Sequence, residues 1–314
     1  MEIGLNDLAL EELNKGNTYA AQEYFRRNAK EHPTGMSLNN LGVFYITEGL
    51  QLKAGKVRKA LGLGCKFLER AKEFGLESPQ NLLALGGVYY DQGEYKKAER
   101  EFFEAIKLGE SKVAPYNYGV VAFLLKDYHN STKYLEKYFT QSLLSGEAMD
   151  EHLLYVFSLL HHDTSKANGA LRKLLASGIS HIEMDSFILA YLCDEMILAK
   201  NLCEKMFTLW AVPPVVMAMV FDCMFRLKLP SEAKRYKDLQ EKNLENYDYD
   251  TKREVCEIKK VFVNKKYRDS MIQSYAFQPL LKRGCYYIGC KLHTDVILSL
   301  IPISEPTRPR LISY

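Results

Sequence analysis

The residue groups whose types and spacing could do chemistry are few, and each fails on a particular position. Gly49 and Gly55-Lys56 are the ingredients of a phosphate-binding loop, in which backbone N–H groups cradle phosphate oxygens and a lysine reaches the terminal ones. Here five residues separate the glycines instead of four, and Val57 stands where the magnesium-binding hydroxyl belongs. Gly62-Leu63-Gly64 opens like a dinucleotide fingerprint, but Phe67 replaces the third glycine and no strand pattern precedes it. Small residues at helix contacts account for it. Cys285-Tyr286-Tyr287-Ile288-Gly289-Cys290 with His293 offers three metal ligands. A structural zinc needs four, and the fourth would have to come from Cys256 or from outside this sequence. Buried thiols on a terminal helix are the plainer reading. His161-His162-Asp163 falls at a turn signal with no partnered nucleophile nearby. With no general acid/base pair, triad or cofactor motif to assemble, the sequence reads as non-enzymatic, with no metal and no cofactor.

Charge narrows the partner class. The 314 residues carry 42 Lys+Arg against 39 Asp+Glu, a net charge of +3 spread along the whole length. That is not the basic footprint that dominates nucleic-acid affinity, so nucleic acid is not the expected partner. The locally basic stretch from Lys252-Arg253 through Lys259-Lys260 and Lys265-Lys266 to Arg268 is interspersed with Glu254, Glu257 and Asp269, and with the apolar Phe262 and Tyr267. It reads as an amphipathic helix with a charged outer face. The first residues, Met1-Glu2-Ile3-Gly4-Leu5-Asn6-Asp7, fit neither a secretory signal nor a membrane span. The cysteines, odd in number and set among apolar residues, suit reduced buried thiols. A cytoplasmic protein with no membrane partner is the expectation.

The elements behind these residues repeat. Leu85-Gly86-Gly87-Val88-Tyr89, Gly93-Glu94-Tyr95, Ala98, Phe102 and Ala105 spell a helix hairpin. Gly86 and Ala98 are small where two antiparallel helices touch, Gly93-Glu94 makes the turn, and Tyr89, Tyr95 and Phe102 fill the groove between them. The series recurs upstream as Leu5, Leu8, Ala9, Gly16, Asn17, Ala21, Phe25 and Pro33, with Leu41, Gly42 and Tyr45 about 34 residues further on. Downstream it reads Tyr118, Gly119, Asp127, Tyr128, Ser131, Leu135 and Tyr138. In the second unit Gly64, Leu68 and Ala71 arrive about ten residues late, so an insertion near 50–63 either lengthens that hairpin or forms a basic loop.

These residues resemble the tetratricopeptide repeat family, whose consensus places Leu-Gly and an aromatic on the first helix, Gly-Asp-Tyr at the turn, and Ala, Phe, Ala on the second. The resemblance implies an all-α fold, a right-handed superhelical solenoid of antiparallel helix hairpins. Four repeats occupy 1–147. Over 148–297 the consensus fades, but helical apolar spacing continues at 152–157, 187–192 and 215–225, with turn signals at Asp163-Thr164, Ser177-Gly178, Pro213-Pro214 and Leu229-Pro230-Ser231. That stretch is either degenerate repeats of the same superhelix or a separate all-helical domain. Residues 298–314, rich in proline and without helical period, resemble a translated sequencing-library adapter and are expected to be a non-native, unstructured tail on a truncated chain.

In the family, first helices line a concave groove that grips peptide segments of partner proteins. Carried over by position, the groove residues are Asn6, Asn39, Asn40, Val43, Leu83, Tyr90, Tyr116, Asn117, Val120 and Phe123. Family members that clamp an acidic carboxyl terminus place Lys and Arg there, and asparagines and aromatics stand here instead. Side-chain amides can donate to and accept from a peptide backbone, and the aromatics can form apolar pockets. The expected partner is therefore an uncharged or apolar segment of another protein. Packing between repeats is the alternative role of the aromatics. The function implied is a non-enzymatic protein-interaction scaffold or adaptor. The alternative is a regulatory or substrate-recruiting arm of a larger protein whose effector or catalytic domain follows the truncation.

Overall fold

The computed structural model describes residues 4–49, 54–145, 149–177, 183–207, 212–245, 251–277 and 279–290. The tail at 298–314, His293, and residues 50–53 at the start of the 50–63 insertion lie outside them. Among the described residues there are sixteen α-helices and no strand, as the helical repeat pattern requires. No helix among them is long and apolar enough to cross a membrane.

The chain divides into two compact units. The first comprises residues 1–134 and 280–314. It contains the helix pairs α1 (Leu5–Asn14) with α2 (Thr18–Glu31), α3 (Gly35–Gly49) with α4 (Ala54–Glu73), and α5 (Pro79–Asp91) with α6 (Tyr95–Lys107). It ends with α7 (Ala114–Leu124) and the start of α8 (Tyr128–Ser145), which Ser131 joins by donating to the Gly119 carbonyl at 2.9 Å. The described part of the insertion lengthens α4.

The pairs close because small residues let them. A Cβ added to Gly86 would lie 2.5 Å from the ring of Phe102, which is itself wholly buried on α6. In the pair before it, a Cβ on Gly64 would meet Ile46 Cγ2 at 2.5 Å and the Gly42 carbonyl at 2.8 Å. The α6 face that enters the core is Ala98, Phe102 and Ala105, while Lys72 of α4 reaches across to the buried Glu101 at 2.8 Å.

The second unit, residues 135–279, pairs α9 (Met149–His162) with α10 (Thr164–Ala176), α11 (Glu183–Leu192) with α12 (Met196–Phe207), and α13 (Pro214–Arg226) with α14 (Pro230–Glu245). Three of the starts are signalled locally. Asp163 caps α10 by accepting from the Lys166 amide, and prolines open α13 and α14. The basic stretch is not one helix with a charged face. It breaks at Asn264, whose side chain caps a second helix, giving α15 (Thr251–Val263) and α16 (Lys265–Gln273), both packed on α13. Arg268 turns inward, donating to the Val261 and Phe262 carbonyls with its guanidinium 4.7 Å from the Phe225 ring centroid. Helical phase puts it on the apolar side, and two carbonyls near the end of α15 receive its charge.

The expectation of buried thiols holds for Cys65, Cys193, Cys203 and Cys223. It fails for Cys256, which is exposed, and for Cys285 and Cys290, which are half-buried.

The turns inside five of the described hairpins use the left-handed backbone region. Gly16 and Gly93 occupy it at φ 77° and 78°, and Lys126, Asp194 and Lys228 occupy it at 64°, 62° and 60°. A side chain there costs about 1–2 kcal/mol, which glycine avoids at the expense of unfolded-state entropy. We expect Lys228→Gly to raise stability by about 0.5–1 kcal/mol. Gly86→Val should lower it by about 1–3 kcal/mol, because Phe102 has no room to yield. Urea unfolding of the two variants checks both signs, and a neutral Gly86→Val would contradict the close approach.

Candidate functional site

The first helices of the hairpins in the first unit, α1, α3, α5 and α7, carry buried amides in otherwise apolar runs. Asn39, Asn40, Asn81 and Asn117 have no exposed surface, and Asn6 is nearly as buried. A buried amide must find partners for two donors and an acceptor oxygen with two lone pairs, or pay for their desolvation. Asn40 satisfies all of these. Its Nδ2 donates to Asn6 Oδ1 at 2.7 Å and to the Ile288 carbonyl at 2.8 Å, while its Oδ1 accepts from the Ile288 amide at 2.8 Å and from Asn39 Nδ2 at 3.0 Å. Asn39 also donates to the Tyr286 carbonyl at 3.1 Å and accepts from Asn81 Nδ2 at 3.1 Å. Asn81 in turn donates to the Leu68 carbonyl. On α7, Asn117 repeats the two-way contact, donating to the Lys282 carbonyl at 2.9 Å and accepting from the Lys282 amide at 2.8 Å.

The asparagine-bearing first helices of this unit are thus covered by the chain's own residues 280–290, which are non-helical. This corrects the terminal-helix reading of the cysteine-containing stretch. A helix would spend its N–H and C=O groups internally, whereas Lys282, Tyr286 and Ile288 give theirs to asparagine side chains.

Residues between those contacts send side chains to other walls. Tyr287 stacks on Phe25 with ring centroids 5.5 Å apart and planes 10° apart, and its hydroxyl lies 3.1 Å from Thr47 Oγ1. Burial pushes the Tyr287 phenol up, with the Thr47 hydrogen bond opposing. Arg283 pairs with Asp91 at the end of α5. Burial opposes the guanidinium charge, but Asp91 outweighs it and the pKa is raised. Lys282 Nζ lies 4.9 Å from the Tyr116 ring centroid. Gly289, at φ 85°, turns the chain beside Asn6, where an added Cβ would be 3.4 Å from Asn6 Nδ2. Burial lifts the Cys285 thiol to about 11, so it stays protonated at neutral pH.

Of the sequence-derived groove residues, Asn6, Asn39, Asn40, Tyr116 and Asn117 line the segment or the amide network that holds it. Val43, Leu83 and Val120 are buried apolar residues. Tyr90 and Phe123 are half-buried and pack on the second helices of their own hairpins, against Tyr95 and Tyr128 at 5.8 and 5.7 Å. Asn81, Asp91, Thr47 and Phe25 were not singled out for the groove. Asn81 alone had a usable signal, an amide at the head of the apolar run from Leu82 to Val88. Among the described residues no cluster of three or more His, Cys, Asp or Glu could hold a metal.

The arrangement resembles known helical repeat structures. A tetratricopeptide repeat protein from Parabacteroides merdae is similar over 81% of this chain and 97% of its own, at 14% identity and a TM-score of 0.53. A structure of PilF from Pseudomonas aeruginosa matches 65% of this chain and 87% of its own, at 18% identity and a TM-score of 0.47. At such identity the likeness to the first is one of fold. No protein-family model matches the sequence, and no curated protein is similar to it.

Asn40→Asp keeps the shape of the amide and removes both its donors. We expect it to lower stability by about 2–3 kcal/mol, since it leaves buried acceptors facing a carboxylate. Asn40→Ala, which removes the acceptor oxygen as well, should speed hydrogen exchange at the Ile288 amide, while Asn117→Ala speeds exchange at Lys282. Unchanged exchange at both amides would contradict the clamps.

Proposed function

We propose that this chain, a helical repeat protein with the tetratricopeptide-type fold, is a non-enzymatic interaction scaffold whose first-unit groove takes an extended segment of a partner protein. The single observation that supports this is the paired contact of Asn40 with Ile288 and of Asn117 with Lys282. In each, one side-chain amide both donates to and accepts from one residue's main chain. Such contacts read a backbone regardless of its side chains, as in other modes of extended-peptide recognition. The wall around Asn6, Asn39, Asn40 and Phe25 suits an uncharged or apolar stretch, and Asp91 admits a cation at the other end. The helix pairs of the second unit are read as degenerate copies of the same hairpin, because Asp194 and Lys228 adopt the left-handed turn that Gly16 and Gly93 adopt in the first.

Selection of random peptides on the chain tests the reading. Enriched peptides should bind as extended segments and lose about tenfold in affinity when the amide facing Asn40 or Asn117 is N-methylated, since each lost charge-neutral hydrogen bond is worth about 0.5–1.5 kcal/mol. Peptides that bind an Asn40→Ala, Asn117→Ala chain equally well would remove the groove as the binding site.

A further inference from the structure

This inference rests on the groove reading above and names its ligand. We propose that residues Lys282–Ile288 are a built-in competitor: the partner segment carries an arginine and, four residues later, a tyrosine, and must displace this stretch to enter the groove.

The ligand chemistry follows from the walls. Main-chain contacts fall at Lys282, Tyr286 and Ile288, alternate positions of a non-helical stretch that turns at Ile288-Gly289. Lys282 lies over the Tyr116 ring and Tyr286 is buried, and two further side chains reach specific walls. Arg283 faces Asp91, and Tyr287 lies flat on Phe25 with its hydroxyl on Thr47. The spacing between those two walls, measured along an extended chain, is four residues. A ligand with a cation and a phenol at that spacing satisfies both while the asparagines hold its backbone.

Displacement follows from how the stretch is held. Its main-chain bonds are to side-chain amides of the groove, which another extended backbone replaces one for one. Its ion pair is partly open to water, with Arg283 38% and Asp91 21% exposed. Leu280 before it and Gly289 at its end are exposed. A groove occupied by its own chain binds an external ligand with an affinity reduced by the fraction of time it stands open.

The test uses a fluorescent synthetic peptide copying Leu280–Cys290 with both cysteines replaced by serine, followed by anisotropy on the full chain. Two variants weaken the internal competitor and leave every groove residue intact. Tyr287→Ala removes the stacked ring, and Arg283→Glu sets like charges at the half-exposed Asp91, a change that does not touch the core. The peptide should bind each variant at least about tenfold more tightly than the unaltered chain. Peptides with alanine at the arginine or tyrosine position should lose most of that binding. Equal affinity for the unaltered chain and both variants would overturn self-competition while leaving the groove reading standing. Absence of binding to variants that melt as the unaltered chain does would overturn the ligand assignment. Adding Asn40→Ala and Asn117→Ala to the Arg283→Glu chain should abolish binding, and undiminished binding there would bring down the groove reading itself.

Discussion

The buried side-chain amide is the constraint on which the groove depends. Asn39, Asn40 and Asn117 sit on first helices with no access to water, where an unpaired amide costs more than any of its hydrogen bonds contributes. Their own helix backbones are already bonded internally, so the partners must come from elsewhere. Neighbouring repeats supply some, through the chain Asn6, Asn40, Asn39, Asn81 that ties α1, α3 and α5 together. The main chain of Lys282, Tyr286 and Ile288 supplies the rest. Buried polar networks are stabilising when nearly every member is satisfied and costly when they are not. An occupant of the groove, whether internal or external, is therefore a structural need.

Hairpin packing makes that network possible. Asn6 and Asn40 are 34 positions apart in sequence, yet their side chains meet at 2.7 Å because successive hairpins stack in register. Register depends on how closely each pair of helices approaches, and that approach is set by Gly42, Gly64 and Gly86 against Leu68, Ile46 and Phe102. A larger residue at one of those positions would move the first helix and carry its asparagine away from the segment. Hairpin packing and the amide network are coupled through the same few small residues. Turns in both units also use less favourable chemistry, with Lys126, Asp194 and Lys228 standing in the left-handed region that Gly16 and Gly93 occupy.

The helices of the first unit were legible because their signals are local: Leu85-Gly86, Gly93-Glu94, Ala98 and Phe102 act on neighbours within one hairpin. Asn39, Asn40 and Asn117 were legible as amides able to bond a backbone, since they interrupt apolar helix faces. Asp91 and Thr47 were not, because an aspartate at a helix end and a threonine on a half-buried face have ordinary local uses. Arg268 was misplaced on a charged surface, since a basic run hides the one residue whose helical phase turns it inward.

What the amino-acid order determined by itself was the all-helical hairpin repeat, through turn chemistry and the spacing of small and apolar residues, all short-range terms. What only the tertiary structure decided was the fate of residues 280–290. Their Leu, Lys, Arg, Cys, Tyr and Ile residues are compatible with a helix, and Gly284 and Gly289 disfavour one without forbidding it. The partners that hold them out of a helix lie between 165 and 248 positions away, and their pull is felt only once the first helices have stacked and brought the asparagines to one wall.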